Sequence, residues 1–71
     1  MEQIYIKDEY IRLGQALKLG GLVGSGADAK LVIKEGLVSL NGETVYERGK
    51  KCRDGDVIEY EGIKVMVNNA H

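Results

Sequence analysis

Hydrophobic and polar positions change their spacing repeatedly along this chain, and each change marks an element. Residues 3–6, Gln-Ile-Tyr-Ile, alternate and predict a short strand at a sheet edge. From Ile11 to Leu19 the apolar positions Leu13, Ala16 and Leu17, with Tyr10 just before, follow helical spacing and place Arg12 just inside a first helix. Gly14 weakens such a helix by roughly 1 kcal/mol relative to Ala, so close approach of another backbone is its expected reason. Residues 20–26 hold four glycines and predict a tight helix-to-helix connection, with Leu22 and Val23 tucked beneath it. Ser25, three residues before Asp28, reads as the cap of a second helix over residues 26–34, whose apolar stripe is Ala29, Val32 and Ile33. Gly36 is the expected left-handed residue that ends it.

Beyond Gly36 the period shortens. Residues 37–40 and 43–46 predict two strands joined by an Asn41-Gly42 turn, the second anchored by Val45. Residues 47–53 form a polar connection, Asp54-Gly55-Asp56 a turn, and residues 57–60 and 63–67 a last hairpin around Glu61-Gly62. Ile63, Val65 and Val67 share one face, opposite Lys64 and Met66. The sum is an α+β fold: two short helices packed on one face of a small, mostly antiparallel sheet with an added N-terminal strand. We read residues 1–71 as a single domain with a core motif over residues 11–60 and a frayed tail over residues 68–71.

Composition narrows the function. A chain of 71 residues buries only about 60–65% of its unfolded surface, which predicts a net stability of about a few kcal/mol. The single cysteine excludes an intrachain disulfide and a thiolate-rich metal site, and such usage fits a cytoplasmic protein. The opening residues lack a basic region leading into an apolar run, which argues against a secretory signal, and no stretch approaches the roughly 20 apolar residues that span a bilayer.

Enzymatic patterns are missing. The only histidine, His71, is terminal and supports no Ser-His-acid arrangement. Cys52 lies between Lys51 and Arg53, which would lower a thiol pKa if exposed, but a small residue within a sheet-like segment is the expected role. Asp54 and Asp56 fall far short of the six or more oxygens that a hard cation takes, so a tight turn is the expected reading. The glycine-rich stretch carries no Gly-Lys-Ser/Thr and is not a nucleotide loop. We therefore expect no catalytic residue, metal or cofactor. The backbone N–H groups near Ser25, Gly26 and Ala27 are placed to hold one phosphate at a helix start.

Ten basic and eleven acidic residues give a net charge of −1, which counts mildly against nucleic acid, but the signs are segregated. Acidic residues crowd positions 2–9 and 54–61, while Arg48, Lys50, Lys51 and Arg53 stand between. Lys30 and Lys34 share one helical face. Read alone, each group is an ordinary solvated surface. Together with Arg12 they form a positive surface suited to phosphates. Tyr10 is expected to be semi-buried, with base stacking as the alternative.

These pieces resemble a known family. Arg12-Leu13-Gly14-Gln15-Ala16-Leu17, then Gly24 to Lys30, then Ile33 to Gly42, and finally Asp54-Gly55-Asp56-Val57-Ile58 are similar to the S4 RNA-binding domain, and more narrowly to its small stand-alone bacterial members. The resemblance spans residues 11–60 and implies an S4-like (alpha-L) fold that binds RNA through its first two helices and the adjoining loop. It matches Arg12 to the arginine opening the first helix, Ser25 to the cap serine, and Lys30 and Lys34 to polar or basic positions further along the second helix. Gly26 departs from it, since members often carry arginine there. The reading is a non-catalytic module that binds structured RNA, ribosomal RNA among the candidates, with Arg12, Ser25, Gly26, Lys30, Lys34, Arg48, Lys50, Lys51 and Arg53 as contributors. No membrane association and no DNA specificity are expected, and a protein partner is left open. The alternative is a protein-interaction or regulatory adaptor whose S4-like fold has lost RNA binding.

Overall fold

In the computed structural model, which describes residues 1–69, the chain runs β1 (Glu2–Ile6), β2 (Ile11–Arg12), α1 (Leu13–Leu19), α2 (Gly26–Lys34), β3 (Val38–Leu40), β4 (Glu43–Thr44), β5 (Lys51–Cys52), β6 (Val57–Tyr60) and β7 (Ile63–Asn69). Five strands form one sheet in the order β1-β7-β6-β3-β4, and β2 and β5 make a separate two-stranded ribbon. The period-two alternation sends Ile4, Ile6, Val38, Leu40, Ile58, Val65 and Val67 inward from the sheet. Leu13, Ala16 and Leu17 of α1 and Ala29 and Ile33 of α2 meet them, and Cys52 completes the core. Leu22 and Val23 pack against its margin, as their pattern predicts.

Both helices end in the same motif. After α1, Gly21 takes φ +73° and the N–H groups of Gly21 and Leu22 donate to the carbonyls of Lys18 and Leu17. After α2, Gly36 takes φ +77° and the N–H groups of Gly36 and Leu37 donate to Ile33 and Val32. Each satisfies the last carbonyls with a left-handed residue that glycine adopts without strain. Asn41 (φ 51°) and Gly42 (φ 86°) then turn β3 into β4, and Glu61 (φ 52°) and Gly62 (φ 77°) turn β6 into β7. Two residues with positive φ are what a tight hairpin turn matching strand twist requires.

The sheet is mostly antiparallel with the N-terminal strand at its edge, as expected, and that strand, β1, pairs in parallel with β7, Ile4 opposite Val67. Three details differ from the sequence reading. The first helix starts at Leu13, not Ile11: Ile11 and Arg12 are extended and pair with Cys52 and Lys51. The strand after Asn41-Gly42 stops at Thr44, two residues early, and Val45 turns its side chain toward the core margin. Asn68 and Asn69, at the head of the tail expected to fray, continue β7. The Asn68 amide donates to the Gln3 side chain at 2.7 Å and to the Ile4 carbonyl at 3.2 Å, which ties the last strand to the first. Positions 70 and 71 lie outside the described residues. Val65 and Val67 are fully buried as a pair, whereas Ile63, beside the turn, is half exposed.

Candidate nucleic-acid interface

The basic segment is placed by an unmet need of α1. This helix has no side-chain cap, and Arg12 stands at its N-cap in extended conformation (φ −76°, ψ 145°). The first N–H groups of a helix lack intrahelical acceptors. Here Leu13 donates to the carbonyl of Lys50 at 2.8 Å and Gly14 to that of Arg48 at 3.1 Å. Residues 48–50 thus cap the helix with backbone carbonyls, and their side chains are carried to its first turn. The approach is close: a Cβ at Gly14 would lie 2.6 Å from Arg48 Cγ. This is the reason for glycine in a helix, and the close neighbour is the Arg48 side chain and not the backbone expected there, since the Arg48 carbonyl oxygen would lie at an ordinary 3.7 Å. Arg12 closes the corner, its guanidinium donating to the Gly49 carbonyl at 2.8 Å.

These contacts shape a recess of about 370 Å³ lined by Arg12, Gly14, Gln15, Lys18, Gly26, Arg48 and Gly49. Three cations therefore share this recess with the start of α2. Ser25 caps that helix, its Oγ accepting from the Asp28 N–H at 3.1 Å. Helix geometry extends the site. Gly26, Lys30 and Lys34 recur every fourth residue and form one stripe beside the buried Ala29–Ile33 line, rising about 6 Å per step. Lys30 and Lys34 are exposed on that stripe and do not line the recess.

Lys50, Lys51 and Arg53 belong to a second depression, of about 610 Å³, between the basic segment and the β3–β4 hairpin. Tyr10 joins the two sets. Its ring centroid lies 5.6 Å from the Arg12 guanidinium, 4.8 Å from Lys51 Nζ and 5.7 Å from the Arg53 guanidinium. The negative faces of an aromatic ring attract cations, so one half-buried tyrosine gathers three like charges. Arg53 is also fixed through its backbone, whose N–H donates to Asp56 Oδ2 at 2.7 Å. Asp56 Oδ1 accepts from the Asn41 amide at 3.0 Å, and Asn41 Oδ1 accepts from the Val57 N–H at 2.9 Å. Asn41 therefore both makes the hairpin turn and locks it to the basic segment.

Cys52 is fully buried on β5. Burial, aided by Asp56 and opposed by Lys50, pushes its thiol up to about 11, which suits packing and not nucleophilic chemistry. Among the described residues no group of three or more His, Cys, Asp and Glu side chains is gathered to hold a metal ion. No helix among them is long and apolar enough to cross a membrane.

Sequence reasoning did not single out Lys18 or Gln15. The signal was present, since Lys18 follows Gly14 by four residues and so shares the face that the basic segment covers. Nothing in the neighbourhood of Tyr46 in the chain sets it apart.

Known proteins bear on this geometry. Residues 4–68 match the S4 domain family. The chain is 46% identical over 59 residues to a probable ribosome maturation protein, RlbA, of Bacillus subtilis, covering 83% of each. It is 40% identical over 47 residues to a tyrosine–tRNA ligase of Nitrosomonas europaea, spanning 66% of this chain but only 12% of that enzyme. Among solved structures, YbcJ of E. coli, described as having an alfaL motif involved in RNA-binding, superposes with a TM-score of 0.74 at 32% identity, over 96% of this chain and 87% of that one. The 30S ribosomal protein S4e of Thermoplasma acidophilum gives a TM-score of 0.62 at 29% identity, over 82% of this chain and 31% of that one. The match to the family over nearly the whole chain, together with a relative of this identity and coverage, shows that the chain belongs to the S4 domain family.

Proposed function

We propose that this chain is a non-catalytic RNA-binding module that grips structured RNA by its phosphates. One observation carries the reading: Arg12, Lys18 and Arg48 line one recess together with Gly26 at the start of α2. Cations and a helix N-terminus both favour an anion there. Ser25 shapes that helix start, Lys30 and Lys34 extend the contact along α2, and Lys50, Lys51 and Arg53 extend it past Tyr10. Such contacts position a nucleic acid without reading its bases. The RlbA relative and the S4e structure support ribosomal RNA or a ribosome-assembly particle as the target, and hence the cytoplasm as the place. The enzymatic activity of the tyrosine–tRNA ligase is not carried over, since the shared segment is a small fraction of that chain.

The test is a filter-binding titration against ribosomal RNA, tRNA and random RNA at two salt concentrations. Charge reversal of Lys50→Glu with Lys51→Glu weakens binding and flattens its salt dependence, by about 0.7–0.9 in log–log slope for each phosphate that is no longer neutralised. Unchanged affinity sinks this surface. The adaptor alternative rests on the net charge of −1; co-purification of a protein that survives nuclease, with no RNA affinity at low salt, would favour it.

A further inference from the structure

The depression between the β3–β4 hairpin and the basic segment has a lining unlike that of the helix-end recess. Tyr46, Lys50, Lys51 and Arg53 line it, with Glu43 and Glu47 also present. We infer that it is a subsite for one unpaired nucleotide of the bound RNA, the base stacked on Tyr46 and the phosphate held by Lys50, Lys51 and Arg53. The inference rests on the RNA-binding reading and extends it to single-stranded RNA flanking the structured part.

Tyr46 is 66% exposed, yet its ring is braced. A Cβ at Gly36 would lie 2.9 Å from Tyr46 Cε1 and 3.3 Å from its hydroxyl oxygen, so the ring rests against the turn that ends α2. An aromatic surface held in place but open to solvent is what base stacking needs, and stacking tolerates any base because every base has a π-face. The carboxylates decide the orientation. Glu43 and Glu47 repel phosphate, which leaves the backbone to the three cations, and they accept hydrogen bonds from base N–H groups. Asp56 also lines the depression, but its oxygens are engaged by the Asn41 amide and the Arg53 N–H.

Continuity with the helix-end recess supplies the occupant. Arg12, which lines that recess, and Lys51 and Arg53, which line this one, sit around the same Tyr10 ring. A strand leaving the first recess meets the cations of the second within the width of one aromatic side chain.

The experiment uses the full chain and two RNA hairpins, one blunt and one with a short single-stranded tail carrying a fluorescent adenine analogue. The wild type binds the tailed hairpin about tenfold more tightly than the blunt one, and the analogue's fluorescence is quenched on binding. Tyr46→Leu abolishes the preference and the quench, whereas Tyr46→Phe retains both. Equal affinity for the two hairpins, or a preference that persists in Tyr46→Leu, overturns the inference while leaving the RNA-binding reading intact. Failure to bind either hairpin at low salt overturns both. Displacement of the tail by low concentrations of free AMP assigns the groove to a mononucleotide and overturns it as an RNA subsite.

Discussion

Tyr10 holds three mutually repelling side chains within 6 Å of one ring centroid. Repulsion between exposed charges in salt is on the order of 1 kcal/mol at contact distance and less beyond it. Each cation–π contact at an exposed site offers about 0.5–1 kcal/mol in return, enough to tip the balance toward a gathered arrangement. The aromatic face is therefore occupied by the protein's own cations, which makes Tyr10 an organiser of the basic surface and not a platform for a base. Replacing it with Leu removes the ring but keeps an apolar side chain of similar reach. The expected result is RNA affinity lower by about fivefold, with Tyr10→Phe close to the wild type because the face is retained. Parallel thermal melts separate this from unfolding. Equal affinity of Tyr10→Leu and the wild type would show that the three cations do not depend on the ring.

Elements that depend on local spacing were legible in the sequence; those that depend on distant pairing were not. The helix over residues 26–34, its Ser25 cap, the Gly36 ending and the Asn41-Gly42 turn all follow from interactions within a few residues. The β2–β5 ribbon joins residues some forty positions apart, and neither half has a periodicity long enough to read. Helical spacing accordingly puts Arg12 inside a helix whose start its pairing with Lys51 delays to Leu13. The parallel register of β1 on β7 is invisible for the same reason. At the site, the cluster over residues 48–53 was visible as charge, but the helix start it caps and the part played by Lys18 required the fold. The ending of α2 offers a test at this scale. Gly36 and Gly42 both have positive φ, but a Cβ at Gly42 meets nothing within 4 Å, whereas one at Gly36 strikes the Tyr46 ring. Ala at either position costs about 1–2 kcal/mol for the left-handed backbone, and at Gly36 the ring must also move. Gly36→Ala is therefore expected to lower the melting temperature more than Gly42→Ala, each kcal/mol amounting to about 4–8 °C in a domain of this size. Equal losses would mean that the exposed Tyr46 ring swings off Gly36 at no cost.

A net charge of −1 does not draw this molecule toward RNA from a distance, so affinity must come from short-range placement of the cations that it has. The start of α2 is where one more would count most. Gly26 lines the recess with Arg12, Lys18 and Arg48, and a Cβ added there meets nothing within 4 Å. A side chain at this position starts in open space. Helix propensity favours Arg over glycine by up to about 1 kcal/mol, while a cation at a helix N-terminus opposes the macrodipole by about 0.3–1 kcal/mol. The two offset, but repulsion from Arg12, Lys18 and Arg48 in the same recess adds a cost of up to about 1 kcal/mol, so denaturant titration is expected to show a small loss of stability. RNA binding is different, because a phosphate in the recess gains a charge-assisted hydrogen bond. Gly26→Arg is expected to tighten binding by about threefold to tenfold at low salt and to steepen the log–log salt slope by about 0.7–0.9, the increment for one further neutralised phosphate. The slope discriminates: tighter binding with an unchanged slope would place the new side chain against a base or sugar, and no gain at all would show that RNA phosphates do not reach the start of α2.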